Sequence, residues 1–182
     1  MTDERLLTLA SKGEEQAFQD LYERYRDPLF RFGYRLTASV ETAEDLVHDC
    51  FISLLRSPAR FVEYRGSLRT YLYAAVRNLA RKRFRDHSAP EPMPEIEDTS
   101  EDCLSLLIGA ETAGIVQQAI AAMPVAWREV LILAEYEDLT MAEIATVTGD
   151  GVGAVKVRLH RARQALKRAL LAEKENHDGR RG

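Results

Sequence analysis

Between Met141 and Arg168 the chain reads MAEIATVTGDGVGAVKVRLHRARQALKR, and few structures accommodate that stretch. Thr140 just ahead of it and Glu143 three residues on form the reciprocal capping pair that starts a helix. Ala142, Ile144, Ala145 and Val147 supply its small and apolar positions, and Gly149 supplies the left-handed residue that ends it. Val152, Val155, Leu159, Ala162 and Leu166 then recur at i, i+3 and i+4 spacing, which predicts a second helix with one buried stripe. Off that stripe lie Lys156, Arg158, His160, Arg161, Arg163, Lys167 and Arg168, with no acid among them. A short helix packed behind a basic one is the helix-turn-helix arrangement, whose second helix enters the DNA major groove. A basic face can also be merely solvated. Here the turn, the capping pair and the charge all agree on duplex DNA.

Charge is distributed in blocks. The 182 residues carry 29 acids and 25 Lys and Arg, a net charge of −4, which argues against a nonspecific coat for DNA. Yet Arg65, Arg69, Arg77, Arg81, Lys82, Arg83 and Arg85 fall in a stretch without an acid. Glu91, Glu95, Glu97, Asp98, Glu101 and Asp102 follow in a stretch without a base, so an acidic block separates two basic ones and is a natural counter-charge for both. No apolar run approaches the roughly 20 residues that span a bilayer. The charged start MTDERLLTLA lacks the apolar segment of an export signal, so the expected location is the cytoplasm. Cys50 and Cys103 have no metal-like spacing. Metal-protease, phosphate-loop, nucleophile-elbow and dinucleotide motifs are missing, so neither an enzyme nor a bound cofactor is expected.

Periodicity is helical nearly throughout, which predicts an all-α fold of two small domains. The first covers residues 3–86, an acidic flexible linker covers 87–109, the second domain covers 110–172, and a charged, frayed tail covers 173–182. In the first, Phe18, Leu21, Tyr22, Tyr25, Leu29 and Phe32 have helical spacing, with Pro28 expected to kink or divide the helix. Ala43, Leu46, Val47, Cys50, Phe51, Leu54 and Leu55 make an amphipathic helix ended by Pro58. A loop through Gly66 leads to Ser67, a plausible N-cap for a helix through Phe84. A short helix is expected near residues 103–108. In the second domain the spacing predicts helices at about Glu111–Met123, Ala126–Tyr136, Met141–Thr148 and Val152–Ala172.

Two further segments carry chemistry. The outer face of the Ala43–Leu55 helix shows Glu44, Asp45, His48, Asp49 and Ile52, either a solvated face or a docking surface. In GSLRTYLYAAVRNLARKRFR, residues 66–85, Tyr71, Tyr73 and nearby Tyr64 interleave with Arg65, Arg69, Arg77, Asn78 and Arg81. Arginine neutralises phosphates and an aromatic face stacks on an unpaired base, an arrangement suited to unstacked nucleic acid. The alternative is that the tyrosines are core edges and the arginines solvated, and the absence of any acid from Arg65 to Arg85 tilts the reading toward nucleic acid.

The motifs TAEDLVHDCFISLL, RGSLRTYLYAAVRNLA and VGAVKVRLHRARQAL, in this order and spacing, resemble those of the extracytoplasmic-function (group 4) sigma factors of bacterial RNA polymerase. The resemblance runs from about Ala17 to Leu170. It implies two helical domains, regions 2 and 4, and four kinds of partner surface. Asp45, Leu46, His48 and Asp49 match the face that docks on the β′ clamp helices of core polymerase, with His48 where Gln is common. Tyr64, Arg65, Ser67, Arg69 and Thr70 match the segment that captures an unstacked base of the −10 element, and Tyr71, Tyr73, Arg77, Asn78 and Arg81 match the helix along the melting DNA. Gly151, Lys156, Val157, Arg158, His160, Arg161 and Arg163 match the −35 reader, in a region that also meets the β flap. An anti-sigma factor is the expected third partner, after core polymerase and promoter DNA, and no membrane insertion is expected.

Departures from the family pattern lie in the reader. Asp150 replaces an apolar turn residue and Gly151 a hydroxyl residue, which is expected to weaken the turn. Ala154 and Val157 replace hydroxyl residues, and Ala134 stands where an Arg often reaches DNA. Recognition of the −35 element is therefore expected to lean on Lys156, Arg158, Arg161 and DNA shape. A free-standing helix-turn-helix regulator is the alternative. It accounts for residues 110–172 but leaves the tyrosine–arginine helix without a role. On the sigma reading, Arg161→Ala loses activity from a −35-dependent promoter, and unchanged transcription from that promoter would refute this.

Overall fold

A computed structural model describes the backbone of residues 1–64, 66–87 and 110–179. Nine helices fall in the described residues: α1 Asp3–Ala10, α2 Glu15–Thr37, α3 Val40–Arg56, α4 Ala59–Glu63, α5 Leu68–His87, α6 Ala110–Ala121, α7 Val125–Glu135, α8 Met141–Thr148 and α9 Val152–Gly179. No strand occurs among these residues. The acidic block and the helix expected near 103–108 lie outside them, as does Arg65.

Helices α1, α2, α3 and α5 make one bundle, and α6 to α9 make a second. The first closes on Leu21, Leu29, Phe32, Leu36, Leu46, Leu54, Leu68 and Leu72, all essentially without exposure. Helix α2 runs unbroken through Pro28, so of the kink or division expected there the division does not occur. A mid-helix proline loses one backbone bond and costs roughly 3 kcal/mol. Here Tyr25, Leu29, Phe32 and Leu36 continue one buried stripe past it, and packing holds the helix together. The segment before Gly66, expected as loop, contains the short α4. Helix α9 extends to Gly179, beyond the end expected at Ala172 and into the tail expected to fray.

Local signals behave as their chemistry dictates. The Ser67 hydroxyl accepts from the Thr70 N–H at 3.2 Å, capping α5. Thr140 and Glu143 form the full capping box of α8. Gly149, at φ 73°, takes the left-handed conformation that closes α8.

The two bundles dock through α2 and α5 against α6, α7 and α8. Trp127 and Ile132 of α7 are fully buried. Buried Arg128 fastens the joint. It donates to the Leu36 carbonyl of α2 at 2.6 Å, and to the Ala121 and Met123 carbonyls at 2.5 and 2.9 Å. Its guanidinium also lies 6.0 Å from the Phe84 ring of α5. Gly66 sits where a Cβ would come within 2.6 Å of the Thr70 hydroxyl, 2.7 Å of the Tyr64 ring and 3.2 Å of Thr146 on α8. A side chain there would displace Thr70 and Tyr64 first, and would press more lightly on Thr146 of α8. Replacing Arg128 by Met leaves three carbonyls without their donor. The expected loss is about 3 kcal/mol, read as a lower denaturation midpoint with little change in slope.

Candidate nucleic-acid interface

Three surfaces carry the residues singled out by sequence. On α3, Asp45, His48 and Asp49 are exposed together with Glu44. Leu46 is not part of that face. It is fully buried, because its position on the apolar stripe turns it into the core. Arg83 of α5 reaches the face and pairs with Asp45 at 3.2 Å and Asp49 at 3.5 Å. Cys50, on the inner side, is buried, and burial pushes its thiol up to about 12. It is core, as its stripe position implies.

The second surface is the start and length of α5. Tyr64 and Tyr71 are half-buried and pack edge to face at 5.3 Å, and Phe61 packs on Tyr71 in the same way at 5.6 Å. Burial raises both tyrosine hydroxyls above their ordinary value. Ser67 and Asn78 are exposed, whereas Thr70 is buried. Tyr73 and Arg77, expected along DNA, are also buried, at 2% and 6% exposure. The reason lies across the joint. Glu129 of α7, 1% exposed, accepts from Arg77 Nε at 2.9 Å, and from Arg81 Nε and Nη2 at 2.6 and 2.9 Å. Glu137, between α7 and α8, accepts the Tyr73 hydroxyl at 2.6 Å, and its backbone carbonyl takes Arg69. Arg35 stands 3.5 Å from the same carboxylate and stacks over Tyr136 at 4.1 Å. Burial first, then the bond to Glu137, raises the Tyr73 hydroxyl strongly.

The third surface is the helix-turn-helix. Val155, Leu159, Ala162 and Leu166 seat α9 on α6 to α8. Gly151, Lys156, Val157 and His160 face outward, Val157 at 51% exposure, and Arg161 is half-buried. Arg163 is turned back to α7, bonding Glu135 from Nε at 2.8 Å and Nη2 at 2.5 Å. It braces α9 against α7 rather than joining the outward face. Arg158 is also held, by Asp150 in a two-bonded pair whose second contact is 3.2 Å. The hydrogen bond from Arg158 keeps the Asp150 carboxyl below the usual carboxylate range. Asp150, expected to weaken the turn, instead ties it to the second turn of α9.

Sequence reasoning did not single out Glu129, Glu137, Arg128 or the Asp150–Arg158 pair. Arg128 and Glu129 lie in a periodic stretch, and Glu137 in the loop after it, where a charged residue looks solvated. Glu129 does sit next to Arg128 within an otherwise apolar run, AWREVLILA, which was the available signal.

The model for sigma-70 region 2 matches residues 21–89, and that for sigma-70 region 4 matches residues 113–166. Over 168 residues the chain is 30% identical to RNA polymerase sigma factor YlaC of Bacillus subtilis, covering 87% of this chain and 95% of that protein. It is 28% identical over 173 residues to the ECF RNA polymerase sigma factor SigW of the same organism, covering 87% and 91%. Among solved structures, CnrH bound to the cytosolic domain of CnrY matches with a TM-score of 0.71 at 25% identity, over 93% of this chain and 97% of that one. The sigma factor RpoE bound to the anti-sigma factor NepR from Bartonella quintana matches with a TM-score of 0.61 at 25% identity, over 84% and 96%.

The Asp150 clamp has a measurable consequence. Because its carboxyl is depressed, the contribution of the pair is present above the ordinary carboxylate range and is lost only as pH falls through the lowered value. Mild acid does not open it. Asp150→Asn frees Arg158, and the slope of log K against log salt for duplex binding is expected to steepen by about one. An unchanged slope would leave Arg158 as a brace alone.

Proposed function

The chain belongs to the extracytoplasmic-function sigma factors of the sigma-70 family, and from that membership we propose how its surfaces divide the work. It is an RNA polymerase sigma factor, directing promoter-specific initiation by binding core polymerase and recognising −10 and −35 elements. Such proteins recognise DNA and start transcription. We assign this chain no catalysis of its own and a cytoplasmic location. None of the described helices is long and apolar enough to cross a membrane.

In this reading residues 3–86 are region 2, 87–109 the linker and 110–172 region 4. Asp45, His48 and Asp49 meet the β′ clamp helices, with Leu46 supporting them from the core. The Tyr64–Thr70 segment holds an unstacked −10 base, whose extrusion costs a few kcal/mol and so discriminates sequence. Tyr71, Asn78 and the α5 arginines follow the backbone. Lys156, Val157, His160 and Arg161 read the −35 major groove, Val157 by apolar contact suited to a thymine methyl. Arg158 and Arg163 position that helix. Region 4 also engages the β flap. An anti-sigma factor completes the partners: the structural relative RpoE was solved with the anti-sigma factor NepR, and CnrH with the cytosolic domain of CnrY.

The observation that carries this assignment is the pairing, in one chain, of an outward basic helix-turn-helix with a tyrosine–arginine helix. A duplex-only regulator has no use for the second. Run-off transcription with purified core polymerase on a library of promoter fragments tests it. Initiation that depends on this protein, with two enriched elements, is expected. Duplex binding without core binding or initiation would return the reading to a free-standing regulator.

A further inference from the structure

Arg69, Tyr73, Arg77 and Arg81 recur every fourth residue and form a single stripe along α5. Every member is engaged by the second bundle, through Glu129 or Glu137. We propose that these two glutamates stand in for promoter phosphate and hold the α5 stripe shut until the bundles part. The proposal rests on the assignment of α5 to DNA above.

The chemistry of the contact is that of nucleic-acid binding. Arg81 presents Nε and Nη2 to the two oxygens of Glu129, the fork that takes a carboxylate or a phosphate alike. Tyr73 donates its hydroxyl to Glu137 across the joint, while its ring packs on Phe32 of its own bundle at 5.2 Å, so it is the hydroxyl that separation releases. A bound strand and the second bundle would therefore occupy the same groups.

Geometry makes the two states exclusive. The −10 and −35 elements are separated by roughly 25 base pairs, which at 3.4 Å each is roughly 85 Å. A compact chain of this length has a radius of gyration of only about 16 Å. With α5 packed on α8 and bonded to α7 through Glu129, the helix that reads −35 is held too near the helix that follows −10 to serve both. The closed form must open on a promoter.

The clasp is also suited to opening. A buried ion pair gives specific geometry, while desolvation offsets much of its Coulomb gain. Separation hydrates the three arginines and two carboxylates. It leaves each bundle its own stripe of leucines. The closed fraction scales down the apparent affinity of the free protein for single-stranded DNA.

The test uses the full chain without polymerase. Glu129→Gln keeps the shape and removes the charge. Glu129→Met combined with Glu137→Gln leaves the stripe without either carboxylate. Glu23→Gln, at an exposed acid of α2, controls for net charge. Binding of a labelled, random-sequence single-stranded oligonucleotide pool is followed by anisotropy, size by small-angle scattering and helicity by circular dichroism. The double variant is expected to bind about tenfold more tightly and to scatter as a larger particle with unchanged helicity, with Glu129→Gln intermediate and the control like the parent. Unchanged binding in the double variant, with or without expansion, overturns the proposal, as does an equal gain in the control. The parent protein's run-off activity with core polymerase is scored separately. Its absence would defeat the sigma assignment and would leave the scattering and anisotropy results to decide the clasp.

Discussion

A carboxylate with almost no exposure must be matched where it lies, and Glu129 is matched by two guanidinium groups from another bundle. Much of the structure follows from that. Helix α5 has to present Arg77 and Arg81 one turn apart on the side facing α7. Helix α2 has to end where its Leu36 carbonyl meets Arg128, the neighbour of Glu129. Leaving any of these charges buried and single would cost several kcal/mol, so the joint has one register. Hydrophobic burial on either side is generous but non-directional, and would tolerate a rotated docking.

That division of roles explains what the sequence disclosed. Repeats of apolar residues at helical spacing located α3, α8 and the start of α9, because each helix had to bury one face. The capping box at Thr140 and Glu143 and the cap at Ser67 were readable because they are local bonds between near neighbours. Pro28 does not divide α2 because burial on both sides of it outweighs a single lost bond, and such long-range packing leaves no local mark.

The candidate site was legible in type and only partly in state. The tyrosine–arginine helix and the basic reader were visible as charge without counter-charge. Sequence offered the acidic linker as the natural cover, since its acids are contiguous. On the α5 arginines, the described counter-charges come from α7 and the loop after it, and those two glutamates are 8 residues apart, one in a helical run and one just past its end. Leu46 and Tyr73 show the same limit. Family likeness places them among functional neighbours, while the packing of this chain turns both inward.

Gly66 carries a consequence of a different order. In the closed arrangement its missing side chain is what lets Thr146 of α8 approach the loop between Tyr64 and Thr70. Once the bundles separate, that third neighbour is gone. A residue at position 66 is therefore judged by selection twice, under unequal demands, and only the resting form of the protein insists on the contact with α8. Inherited change there would adjust how readily the molecule wakes and, through Tyr64 and Thr70, how it holds the base it reads.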